Sequence, residues 1–282
     1  MTLVVAKVIE NKIYIFSDSK ITDPKNILRG MDNEVLKAII INPNICICYA
    51  GAIAKAVKAI HELQNNNLIA TDDILNYLLV SHSKEGNNPD FIVATFLPKP
   101  SIYEIKKGMI KRDLQVAWIG NQSAFSDFQR YRFEAPEIFK TNEFILSRFA
   151  FVKVIEDTKH EDVSDFLIGV TSSLNGFVYS DYASGLASIT MHPNHTISGS
   201  ISVNAAHGGY SYSVLRPQEA GIGAIGVYFL QGSFGALLYP LRQDRPFIFA
   251  QVELQGFIEK VENVFGFRLI GLNIVNHNEK FV

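Results

Sequence analysis

Four short runs of apolar, largely β-branched residues crowd the first 51 positions: Leu3 to Ile9, Ile13 to Phe16, Ala38 to Ile41 and Ile45 to Gly51. Their side chains suit a pleated surface, so each reads as a strand. Glu10-Asn11-Lys12 supplies the turn between the first two. A chain that begins this way must build paired strands first, and its polar chemistry is left to the strand ends.

Those ends carry an uncommon set of groups. Thr2 opens the first strand, and trimming of Met1 would place a free α-amine beside its hydroxyl. An α-amine titrates at about 7.7–8.0, so near neutral pH it can take the hydroxyl proton, which a side-chain alcohol needs before it becomes a nucleophile. Asp18 closes the second strand, where its carboxylate can reach the residue that opens the first. Lys37 stands just before the third strand. Its ammonium would favour a neutral amine and a developing alkoxide, and Asp18 would keep it charged and oriented. Gly51 ends the fourth strand, where a backbone N–H can face a forming oxyanion.

The spacing of these residues resembles that of proteasome-type β subunits, in the N-terminal-nucleophile hydrolase superfamily that includes bacterial proteasome-type peptidase homologues. Thr2 and Asp18 are sixteen residues apart, Asp18-Ser19-Lys20 fits the family triplet, and Lys37 precedes Gly51 by fourteen. A loop insertion at Asp23-Pro24-Lys25-Asn26 accounts for a gap between Asp18 and Lys37 about three residues longer than usual. Further matches are the Phe91–Phe96 and Ser101–Ile105 hairpin with Gly108, the strand Val116–Gly120, and Asp181-Tyr182-Ala183-Ser184-Gly185. The resemblance covers roughly residues 2–195. It departs at Asn121, where the family usually has serine, and in a carboxy-terminal stretch much longer than the family's.

The resemblance implies an α+β fold: a four-layer α-β-β-α sandwich over residues 1–195. Residues 196–282 would form an extension packed on, or continuing, the same domain. It implies a threonine-type peptidase with Thr2 as nucleophile, Lys37 and Asp18 in support, Gly51 at the oxyanion, and Asp181 and Ser184 fixing the terminus and its water. Ile21, Tyr49 and Ile53, all apolar, would line the pocket beside the nucleophile and favour cleavage after bulky apolar residues of unfolded polypeptide. The family also implies self-association into a ring or another homo-oligomer, an unfoldase partner, and no cofactor. It contains inactive ring members too, so a catalytically silent structural or regulatory subunit is the alternative. Hydrolysis of a small-molecule amide by the same nucleophile is a third reading.

Composition narrows the classes. With 26 basic and 28 acidic residues the net charge is −2, which argues against an electrostatic nucleic-acid binder. No run approaches the roughly 18 apolar residues of a membrane span. The start lacks the basic and apolar pattern of an export signal, and two cysteines suit a reducing, cytoplasmic home. Cys46 and Cys48 share one strand face and read as small buried hydrophobes. Pro193 makes Met191–His195 a turn, so His192 and His195 predict no metal site. Helices are expected over Ala52–Leu63, Asp72–Ser81 with Thr71 as cap, Phe125–Tyr131, Glu143–Asp157, Glu161–Tyr179 and Phe257–Phe265. The glycine-rich run Gly221–Gly226 has no nucleotide-loop context and reads as close-packed strand into Val227–Leu230, with a hairpin at Gln231-Gly232-Ser233.

Overall fold

The computed structural model describes residues 2–19, 35–66, 68–83, 88–157, 160, 163, 166–184, 211–229, 233–243 and 245–276. Met1, Ile21, the Asp23–Asn26 insertion, Gly185, His192 and His195 lie outside them. Among the described residues the fold is mixed α/β, with three antiparallel five-stranded sheets and six helices. No described helix is long and apolar enough to cross a membrane.

The first sheet is built around β1 (Leu3–Ile9) and β2 (Lys12–Asp18), a hairpin whose register runs from Val4 opposite Ser17 to Ile9 opposite Lys12. Glu10 and Asn11 both take positive φ, the conformation that matches a two-residue turn to the strand twist. β8 (Val116–Gly120) pairs with the other edge of β1, placing Gly120 opposite Leu3. Beyond β2 lie β9 (Phe166–Ser173) and then β10 (Gly176–Ser184). The helix expected over Glu161–Tyr179 is therefore corrected to two strands. Most of its apolar residues are β-branched or aromatic, β2 offers a free edge to pair with, and Gly169 and Gly176 are poor helix formers. Gly169 is needed because a Cβ there would lie 2.7 Å from the Asp181 Cβ across the ladder.

The second sheet runs β3 (Ala38–Asn42), β4 (Ile45–Ala50), β5 (Asp90–Thr95), β6 (Ser101–Lys106) and β7 (Met109–Lys111). Its period-two alternation sorts two apolar sets. Ile39, Ile47, Tyr49, Phe91 and Val93 pack under α1 (Ile53–Asn65) and α2 (Thr71–Ser83), with Thr71 as the first residue of α2. Ala38, Ile40, Cys46, Cys48, Ile92 and Ala94 face the central cluster, which also receives Val4, Ala6, Ile13 and Ile15 of the first sheet. The opposite face of the first sheet sends Leu3, Val5 and Phe16 under α3 (Gln122–Glu134) and α5 (Glu143–Glu156), with α4 (Glu137–Lys140) between those helices in sequence.

The carboxy-terminal part forms the third sheet, ordered β14-β13-β12-β11-β15. Its strands are β11 (Ser211–Pro217), β12 (Ile225–Phe229), β13 (Phe234–Leu238), β14 (Phe247–Phe249) and β15 (Leu269–Asn276), and α6 (Leu254–Phe265) covers one face. Val214, Val227, Phe229 and Ala236 point the other way and join the central cluster shared by the other two sheets. The strand expected from Gly221 begins at Ile225. Gly221 instead donates its N–H to the Phe177 carbonyl, and a Cβ on it would lie 2.5 Å from Pro43 in the β3–β4 turn.

Candidate active site

Antiparallel pairing of β1 with β2 brings the start of one beside the end of the other, so Thr2, Leu3 and Asp18 meet through local chain geometry. Asp18 Oδ1 accepts hydrogen bonds from the Thr2 hydroxyl and from the Leu3 N–H, the latter at 2.9 Å. Asp18 Oδ2 accepts the Lys37 ammonium at 2.7 Å. Lys37 comes from the residue before β3, and its carbonyl accepts the Tyr49 N–H at 3.0 Å, which fixes its height against β4. Thr2 is 4% exposed, Asp18 0% and Lys37 2%. A carboxylate and an ammonium so far from water persist only as a closely paired, hydrogen-bonded unit.

Two neighbours sharpen this environment. The Tyr49 phenol is fully buried, and its titration is pushed far upward by burial and then by the negative charge of Asp18. Its hydroxyl finds no hydrogen-bond partner among the described residues. On the other side of β1, the Asn121 N–H donates to the Thr2 carbonyl at 2.6 Å. Gly120, at φ +102°, leaves room for that approach, since a Cβ there would lie 1.9 Å from the Thr2 oxygen. The Asn121 side chain is turned to another task. It accepts the Ser123 and Ala124 N–H groups at 2.8 and 3.1 Å and so caps α3.

The other expected site residues are placed as follows. Gly51 follows β4 in an exposed position at φ +97°, two residues ahead of the start of α1. Ile53 opens α1 and lines a groove of about 500 Å3 with Ala54, Val57, Lys58, His61 and Gln243. Tyr49 is packed inside the α1–α2 cluster and does not line that groove. Asp181 lies on β10, which β9 separates from β2, and does not join the hydrogen-bonded group around Thr2. Arg148 of α5 binds both its carboxylate oxygens, at 2.5 and 3.2 Å. Arg148 carries no signal in sequence, because only the packing of α5 over β9 brings it within reach. Ser184 ends β10, and its side chain, like Ile21, is outside the described residues.

No family model matches the sequence, and no curated protein does. Among solved structures, eukaryotic HslV from Trypanosoma brucei is similar in fold, with a TM-score of 0.45 and 14% identity over 60% of this chain and 98% of HslV.

Proposed function

We propose that this chain is a threonine-type peptidase in which Thr2, once Met1 is removed, is an N-terminal nucleophile. The observation that carries the reading is the buried run from the Thr2 hydroxyl through Asp18 to Lys37. In the proposed reaction the freed α-amine takes the hydroxyl proton as Oγ1 attacks a peptide carbonyl. The alkoxide is stabilised by the Lys37 ammonium, and the oxyanion by the Gly51 N–H. The amine then returns the proton to the departing peptide nitrogen. A water activated by the same amine releases the acyl group from Thr2. Ile21 and Ile53 belong to the proposed apolar pocket, and Asp181 and Ser184 to the support of the terminus.

The α-β-β-α sandwich is part of the same proposal, supported by the apolar sets that α1–α2 and α3–α5 share with the two sheets on either side of the central cluster. So are a domain spanning residues 1–195 with the rest as an extension, ring assembly, polypeptide substrates, an unfoldase partner and a cytoplasmic setting. A second reading, a silent structural or regulatory subunit, is favoured by two observations. Arg148 occupies both oxygens of Asp181, and Asn121 is committed to capping α3. Intact mass before and after a threonine-directed epoxyketone or β-lactone decides between them. Loss of Met1 with one adduct, absent in Thr2→Ala, is expected. A retained Met1, or a processed chain that takes no adduct, overturns the peptidase.

A further inference from the structure

Far along the chain from Thr2, three potential metal ligands converge at the end of α5. Asp157 follows the helix and donates its N–H to the Val154 carbonyl at 3.2 Å. The His160 N–H bonds to the Asp157 carbonyl at 3.1 Å, and the Val163 N–H to the His160 carbonyl at 2.9 Å. This turn folds His160 back toward α3, where its side chain is 4% exposed and its Nε2 lies 2.7 Å from Oδ2 of Asp127. The ligand atoms of Asp127, Asp157 and His160 all lie within 4.8 Å of one another. Both carboxylates are also held from behind. Tyr131, one turn beyond Asp127, donates to Asp157 Oδ2 at 2.7 Å, and Arg130 Nε donates to Asp127 Oδ1 at 3.0 Å. Such outer hydrogen bonds orient metal ligands and sharpen their affinity.

We propose that Asp127, Asp157 and His160 bind one divalent ion of the zinc class, clamping the end of α5 to α3. The donor set decides the class. An imidazole nitrogen with two carboxylates suits zinc and its neighbours, whereas calcium and magnesium favour all-oxygen shells. Three protein ligands leave one tetrahedral position for water. Binding replaces the His160–Asp127 hydrogen bond by bonds from both groups to the ion, and any proton between them passes to solvent. Sequence offered no sign of this site, because Asp127 lies 30 residues before Asp157.

The test is calorimetric titration of untagged, chelator-treated full-length protein with zinc chloride, then with magnesium and calcium chloride. One zinc per chain with a Kd of about 10 μM or tighter is expected. Asp157→Asn and His160→Ala should each weaken binding at least about tenfold, and a zinc-dependent rise in melting temperature should disappear in both. Asp157→Asn keeps an acceptor for Tyr131, so it remains informative if His160→Ala fails to fold. Three results overturn the proposal: no zinc binding below about 1 mM, unchanged affinity in the folded variant, or magnesium binding as tightly as zinc.

Discussion

Asp18→Asn isolates the charge at the centre of the candidate site. The asparagine oxygen can still accept from the Leu3 N–H and the Thr2 hydroxyl, but its amide nitrogen then faces the Lys37 ammonium. What is lost is the anion that Lys37 binds at 2.7 Å, in a place where both side chains are at most 2% exposed. Removing one partner of a buried pair costs about 3–5 kcal/mol, whereas replacing both with groups of similar volume is often close to neutral. Asp18→Asn should therefore lose about 3–5 kcal/mol, Lys37→Met a similar amount, and the double variant well under the sum, with a coupling energy of about 2 kcal/mol or more. Urea unfolding at pH 7, followed through Trp118 fluorescence, measures all three. A single-variant loss under about 1 kcal/mol, or strict additivity, would refute the claim that this pair is a desolvated unit.

Other expectations test the surroundings. Asn121→Ala should cost about 1 kcal/mol because Ser123 and Ala124 lose their acceptor, while Asn121→Ser should keep most of the cap, as thermal denaturation would register. Glu143, partly desolvated but bonded to Lys7 and Arg132, is held below the ordinary carboxylate value of 4.5. A depressed value stabilises the fold at higher pH and loses that contribution as pH falls through it. The stability gap between wild type and Glu143→Gln should thus be full at pH 7 and close below pH 4.5, and a gap constant with pH would count against the assignment. Phe257→Ala, at the centre of the α6 cluster, should cost about 3–5 kcal/mol and leave one unfolding transition if the third sheet shares its core with the others.

Thr2, Asp18 and Lys37 were legible because strand register alone brings two of them together, and the apolar runs define that register. Cys46 and Cys48 were legible for the same reason, since a period of two sends both into the central cluster. α5 was readable from its apolar residues, and α3 shows the limit of such reading. Its first turn lacks a strong apolar signal, and the structure begins it at Gln122, after the Asn121 cap. Phe166–Tyr179 misled because its apolar residues carry no decisive period; the edge of β2 decides that it forms strands. The third sheet had no recognisable motif, and the glycines of its entering loop are explained only by contact. A Cβ on Gly223 would lie 2.4 Å from the Ile40 carbonyl, which is a tertiary fact.

The pairing of β1 with β8 also bears on how the chain is made. Leu3 and Gly120 face each other, yet 117 residues separate them. At a synthesis rate of about 5–20 residues per second, roughly 6–23 s pass between production of the two. Through that interval one edge of a strand reading Leu-Val-Val-Ala-Lys-Val-Ile lacks its native neighbour. An apolar edge of this kind is a template for wrong partners. Nascent chains stalled before residue 116 should therefore aggregate or bind holding chaperones more strongly than chains stalled once β8 has left the exit tunnel.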